Sequence, residues 1–192
     1  MFGAAGLKAR VLTHADLPAL QRFFDANPEY SLAVQGIPPA ADAAARDFDE
    51  RPPPHLPYGQ QWTIGFEDEA GALAGSAVVL SDFIQPGVWH IGLFILATAR
   101  HGTGQAMALY DALEGWMRAG GAQWVRLGAV VGNTRAERFW PKAGYIEVRQ
   151  RQGIDTGARR NDLRVFAKPL TGGAIAQYLE LVPRDRPGSE LP

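Results

Sequence analysis

The sequence predicts an α/β protein built on one mixed sheet. Three observations carry that prediction. A covered strand, a two-glycine turn and a long amphipathic helix follow one another over 91–119. Three extended segments joined by short turns, at 61–66, 72–83 and 88–96, lead into that turn, which is an antiparallel run. Beyond the crossing helix a further apolar segment, 123–131, must then lie parallel to 88–96, since a parallel partner requires such a crossover.

Taken in order, 8–12 reads as a first strand. Thr13 caps the helix that follows, with Asp16 in the capping-box slot. Leu17, Leu20, Phe23 and Phe24 form its apolar stripe, and Asn27-Pro28 ends it. The stretch 28–59 is irregular apart from a helical composition over 40–50, and 51–57 is stiffened by prolines. A segment this long without regular structure suits a lid over a substrate, and Tyr30, Asp47, Asp49, Glu50, His55 and Tyr58 are its unranked candidate contacts. After 123–131 come a short helix capped by Asn133, a strand at 145–151, a turn around 153–157, and a last strand at 161–168 ended by Pro169. A tail, 171–192, carries one apolar patch (Ile175, Tyr178, Leu179, Leu181, Val182) fit to pack on the body or on a partner subunit, and 183–192 is expected to be disordered.

The 192 residues suit one domain, 1–170, followed by the tail. With 46% apolar and 20% charged residues and a net charge of −1, the chain offers no basic face for nucleic acid and no membrane-binding surface. The absence of cysteine removes disulfides, thiolate zinc sites and a cysteine nucleophile; no metal ligand set is predicted. No signal peptide is visible and no apolar run reaches the roughly 18 residues of a membrane span, so a cytoplasmic protein is expected.

The chemistry concentrates at Arg100-His101-Gly102-Thr103-Gly104-Gln105-Ala106. Glycines two positions apart allow a sharp turn and leave amide N–H groups bare. A helix starting there points its positive dipole end and its free donors at the turn, which makes an anion site. Gln105-Ala106 replaces the Lys-Ser/Thr of a P-loop. Met107 stands where a dinucleotide fingerprint needs a small residue, and Trp124 and Val125 replace its acidic residue.

The turn resembles the pyrophosphate loop of the GNAT N-acetyltransferases, in which Arg/Gln-x-x-Gly-x-Gly/Ala joins a strand to a helix. Gly102 and Gly104 match; Ala99 stands at the leading position, beside Arg100. A second segment, Asn133-Thr-Arg-Ala136-Glu-Arg-Phe139-Trp140-Pro-Lys-Ala-Gly144-Tyr145, resembles the family's Asn-x-x-Ala-x-x-(apolar)-Tyr-x-x-x-Gly-Phe. The element order is also similar over 8–170. The resemblance implies a mixed sheet of six to seven strands flanked by about four helices. It also implies acetyl-CoA as cofactor and acetyl transfer to a primary amine, of a small molecule or a peptide, with a homodimer possible. It places the pyrophosphate on 100–106, the thioester arm along the backbone of Phe94, Ile95 and Leu96, and Asn133, Phe139 and Trp140 beside that arm. Trp140 stands where the family has its Tyr acid and has no titratable proton, so Tyr145 or Tyr110 becomes a candidate substitute. That departure also opens a second reading, an acyl-CoA-binding protein without catalysis.

Transfer to an amine needs a proton acceptor. Strand alternation would put Val88, His90, Gly92 and Phe94 on one face. In the family a carboxylate or water relay sits near position 88; His90, with an ordinary pKa near 6.5, is the first candidate and Asp82 the second. Arg159 and Arg160 are candidates for drawing in an anionic group.

Overall fold

A computed structural model describes residues 1–156 and 158–191. Eight strands form one sheet in the order β1-β2-β3-β4-β5-β6-β8-β7. They are β1 (Gly3–Ala4), β2 (Leu7–Val11), β3 (Gln61–Glu67), β4 (Leu73–Leu80), β5 (Val88–Leu96), β6 (Trp124–Val130), β7 (Ile146–Asp155) and β8 (Arg160–Pro169). The helices among the described residues are α1 (Leu17–Ala26), α2 (Glu29–Gln35), α3 (Ala43–Asp49), α4 (Gln105–Ala119), α5 (Thr134–Lys142) and α6 (Ile175–Leu181). The sheet thus has one strand more than the upper expectation and the chain two more helices. The added strand is the two-residue β1, folded back on β2.

The two extra helices have plain causes. α2 is hidden in the sequence by the surrounding prolines; Gly36, left-handed at φ 77°, ends it by donating its N–H to the carbonyls of Ser31 and Leu32. α6 puts Ile175, Tyr178, Leu179 and Val182 on one stripe, the spacing of an amphipathic helix. The Asp16 carboxylate accepts from Thr13 N at 2.7 Å, as the capping slot anticipates, and also receives a fork from Arg10. The turn expected at 153–157 falls later: β7 runs on to Asp155, still paired with β8, so the hairpin end lies between Asp155 and Arg160; Gly157 lies outside the described residues.

All neighbouring strands pair antiparallel except β5 and β6, which pair parallel. That pairing covers only Val88↔Trp124 to Ile91↔Leu127. At the next residue β5 bulges: Val79 faces Ile91 but Val78 faces Leu93, so Gly92 is an extra residue without a partner on β4. Beyond it the facing edges of β5 and β6 separate, while β4 follows β5 to Leu96 and β8 follows β6 to Val130. The bulge also breaks the expected alternation. His90 stays on the face of Val88, whereas Phe94 emerges on the opposite face and packs on Tyr110 and Phe139.

The sheet is covered on both sides. α4 and α5 cover one face, with Leu109, Leu113, Met117 and Trp140 packed on Val79, Ile91 and Leu127. α1 and α3 cover part of the other, where Leu20, Phe23, Phe24 and Ala44 meet Val78, Leu80 and Leu93. The rest of that second face is closed by the tail: Tyr178 and Val182 are buried against Val88, Trp124, Val165 and Ala167. The disorder expected over 183–192 is corrected for Pro183–Asp185. A 3₁₀ turn at Pro183–Asp185 places Asp185 at 0% exposure, where Arg126 holds it through Nε at 2.7 Å and Nη2 at 3.1 Å and the Tyr178 hydroxyl donates at 2.6 Å. The segment is polar in composition, and the contacts that hold it include an ion pair across 59 positions and Arg149 on the carbonyls of Arg184 and Ser189, which local composition does not reveal.

Burial alone would raise the Asp185 carboxyl, but Arg126 and the Tyr178 hydroxyl outweigh it and hold the group below its ordinary range. A depressed carboxyl stabilises the fold above the unfolded value, about pH 4, and loses that contribution as pH falls through the folded one. Asp185→Ala leaves Arg126 buried and unpaired and should cost about 3–5 kcal/mol in denaturant titration at pH 7. The gap between wild type and variant should narrow as the titration is repeated below about pH 4.

Candidate active site

The divergence of β5 and β6 opens a cleft of about 1550 Å³ that runs through the sheet. Its floor is His90 to Leu96 on one side and Arg126 to Val130 on the other. One mouth lies at the glycine turn and α5, the other under α2, α3 and the tail.

At the first mouth, a 3₁₀ turn at Thr98–Arg100 ends β5 and the chain reverses through Gly102 (φ 77°) and Gly104 (φ 83°). Side chains fix the turn: His101 Nε2–H donates to Leu96 O at 2.8 Å, Thr103 Oγ to Arg100 O at 2.8 Å, and Arg100 Nη1 to Gln105 Oε1 at 3.2 Å. The amides of Arg100 and His101 are used inside the turn, and those of Met107 and Ala108 bond to Gly104 O. Among the described residues, the amides of Gly102, Thr103, Gly104 and Ala106 have no protein acceptor, and Gln105 N has only Thr103 Oγ at 3.4 Å. A Cβ on Gly102 or Gly104 would meet nothing within 4 Å, so the turn is open to a ligand on that side. Arg135, Arg138 and Lys142 on α5 line the same mouth with positive charge. This donor set fits a pyrophosphate group.

The turn is also braced from the other layer. Asn27 Oδ1 accepts from Thr98 N at 2.8 Å and Glu29 accepts from the Thr98 hydroxyl at 2.5 Å, so the α1–α2 corner is tied to the end of β5. Further in, Asn133 caps α5 by accepting from Ala136 N at 3.2 Å and lines the cleft. Phe139 stacks on Phe94 at 5.9 Å, and Trp140 packs on Phe94, Tyr110 and Tyr145. Phe94, Ile95, Leu96, His101, Gly102, Ala106, Asn133, Phe139 and Trp140 therefore line one cleft. Arg100, Thr103, Gly104 and Gln105 complete the turn beside it. Pro141 falls in the last turn of α5, which stops at Lys142.

The two tyrosines offered in place of the acid do not line this cleft. Tyr110 is fully buried; its hydroxyl donates to Glu114 at 2.7 Å and accepts from the Tyr145 hydroxyl at 3.1 Å, and Tyr145 is 4% exposed. Burial raises both phenols well above their ordinary value. They belong to a packed network in which Lys168 also holds Glu114.

At the second mouth the expected proton acceptors separate. Asp82 turns away from the cleft: it adopts φ 48° after β4 ends, and its Oδ1 accepts from Gly87 N at 2.8 Å, which closes the β4–β5 turn. It lines a shallow depression beside Trp62 and Trp89. His90 does line the cleft, stacked on Phe83 at 4.6 Å with Nδ1 3.1 Å from Arg126 O. Burial, and then the Arg126 guanidinium, push its pKa down to about 3. A histidine so depressed is neutral at pH 7 and a weak base.

The group with basicity matched to neutral pH is Asp47 on α3, one of six unranked contacts from the variable segment. It lines the cleft, its Oδ2 is buried without a hydrogen-bond partner, and burial, then Glu50, raise its pKa to about 7. Tyr30, facing the same carboxylates, is raised above its ordinary value by burial and by Asp47 and Glu50. Nothing in composition distinguishes Asp47 from Asp49, since both flank Phe48. Arg159 serves structure: it donates to Ala33 O at 2.5 Å and to Val34 O at 3.2 Å, latching the β7–β8 hairpin to α2. Arg160 is exposed at the start of β8.

The family model for the acetyltransferase (GNAT) family matches residues 20–145, and the chain belongs to that family. Among solved structures it is similar to a GCN5-related N-acetyltransferase from Kribbella flavida, at 25% identity and TM-score 0.62, over 86% of this chain and 98% of that one. It is similar in fold to an acetyltransferase from Thermus thermophilus (18% identity, TM-score 0.66, 88% and 100% covered). The same holds for spermidine N-acetyltransferase from Vibrio cholerae in complex with CoA and spermine (16%, 0.63, 86% and 96%). No curated protein matches the chain. No helix among the described residues is long and apolar enough to cross a membrane.

The Asp47 carboxyl should titrate near pH 7 when followed by carbon NMR. A raised carboxyl destabilises the fold as its ionisation is forced: stability should fall as pH rises from about 4, where the unfolded chain ionises, to about 7. Asp47→Asn should remove that fall and be the more stable protein above about pH 7 in thermal unfolding.

Proposed function

We propose that this protein moves an acetyl group from acetyl-CoA directly to a primary amine that enters under α2 and α3. The observation that carries the reading is the pair of open features on one cleft: free amides at Gly102–Ala106 and unpaired strand edges beyond Ile91. About 17 Å of strand, at about 3.3 Å per residue, separates Ile91 from Leu96, so an extended arm can lie along β5 between them.

When bound, acetyl-CoA supplies an activated acyl carbon. The chain supplies the rest. The turn amides and Arg135, Arg138 and Lys142 hold the pyrophosphate. The backbone edge of Gly92 to Leu96 offers donors both to the arm and to the oxygen that gains charge. Phe94, Phe139 and Trp140 form an apolar wall that excludes water from the arm. Asp47 accepts the proton of the incoming ammonium, directly or through water, since its basicity matches neutral pH. Trp140 has no titratable proton, so the leaving thiolate takes its proton from solvent in this open cleft.

Trp140 also favours a second reading, an acyl-CoA-binding protein that does not transfer. A thiol-release assay with acetyl-CoA and a panel of primary amines separates the two. Amine-dependent release of CoA supports transfer; cofactor binding with no release above solvent hydrolysis for any amine supports the second reading. If transfer operates as described, Asp47→Asn should lower kcat/KM for the amine by about 10²–10⁴-fold. The wild-type rate should rise with pH through a midpoint near 7 that the variant lacks, with the affinity for acetyl-CoA unchanged.

A further inference from the structure

The second mouth carries an unusual excess of guanidinium groups. Arg126, Arg149, Arg151 and Arg184 converge around one carboxylate, Asp185. Asp185 spends both oxygens on Arg126 and Tyr178. Arg149 turns its terminal nitrogens to the carbonyls of Arg184 and Ser189, which leaves it tying down the tail. Arg184 has no such outlet. It is 7% exposed, lines the cleft, and both its Nε and its Nη1 are buried without an acceptor among the described residues. Burial, and then Arg126 and Arg151, lower its pKa to about 10, so it remains charged at neutral pH. Arg151, on β7, lines the same space.

A charged guanidinium with two orphaned donors in a buried site is costly unless an acceptor arrives. The place of this one identifies which ligand supplies it. Arg126 pairs with His90 one step before the last parallel pair, Ile91↔Leu127, so the cluster lies on the acceptor side of the vertex where β5 and β6 part. The glycine turn lies at the far end of β5. The cluster therefore does not serve the cofactor phosphates.

We propose that Arg184, with Arg151, forms an oxyanion subsite for the acceptor, so that the amine accepted here carries a carboxylate or phosphonate group on the same molecule. This rests on the acetyl-transfer reading for the word acceptor, and on the orphaned donors alone for the subsite. Asp47 on the opposite lip completes a bipolar pocket: an acidic group for the amine and a basic pair for the anion. A polyamine, cationic at both ends, would meet like charge at Arg184 and is disfavoured.

The test is calorimetric, with N-acetyl-β-alanine, its amide and N-acetyl-aminoethylphosphonate as product analogues, titrated into the free and the CoA-saturated protein. The acid or the phosphonate should bind about tenfold or more tightly than the amide, the range expected for hydrogen bonds to a charged group. Whichever of the two binds more tightly names the anion. Arg184→Gln should abolish that preference and Arg184→Lys should restore part of it, and Arg151→Gln, at a half-buried strand position, should weaken it without disturbing the tail. Equal binding of acid and amide, no binding of any analogue, or a preference that survives both glutamine variants would overturn the subsite. If CoA itself does not bind, the acetyl-transfer reading fails, and the titration of the free protein still decides whether the anion subsite exists.

Discussion

The structure depends on a parallel strand pair that is allowed to fail. β5 and β6 hold together for four residue pairs and then part, because Gly92 is inserted opposite β4 and shifts the register of everything after it. A continuous parallel ladder would bury both edges and leave no cleft. Because each strand keeps its outer neighbour, the divergence costs little of the sheet, and the inner edges retain backbone donors and acceptors for a ligand. The bulge also sends Phe94 to the α4–α5 face, where it joins Phe139 and Trp140, and leaves His90 on the face of the tail.

Around that opening the charges are sorted by place. The glycine turn has bare amides flanked by cations on α5; the α2–α3 lip has Asp47 and Glu50; the vertex has the arginine cluster. The sorting explains why His90 is a poor base although its position is central. Its nearest charged neighbour is Arg126, and a cation beside a buried imidazole disfavours protonation. Asp47 experiences the opposite environment, a buried carboxyl beside another carboxylate, and its basicity rises into the neutral range.

Much of the fold is legible from the chain because the informative features are local. The pattern of 88–119, the capping signals at Thr13 and Asn133, and the two-glycine turn each state their structure within a few residues. What is not legible is non-local. The Gly92 bulge is visible only against β4, so alternation misplaces Phe94. The ordering of the polar residues after Val182 depends on Arg126, which is distant in sequence. The choice among Asp47, Asp82 and His90 depends on which way each backbone turns and which charge it meets. Asp82 is a reasonable carboxylate by proximity to β5, but a left-handed turn spends it on Gly87.

The proposed function stands on the turn at Gly102–Gly104 acting as the cofactor cradle. The most direct measurement is a calorimetric titration with acetyl-CoA of wild type, Gly104→Ala and Gly104→Glu. A Cβ at Gly104 meets no atom, so alanine isolates the backbone strain of φ 83°, roughly 1–2 kcal/mol, and glutamate adds a carboxylate where the pyrophosphate would sit. The account predicts that wild type binds, that alanine binds more weakly, and that glutamate stays folded and does not bind. Undiminished binding to a folded Gly104→Glu protein, or no binding to wild type, would contradict it.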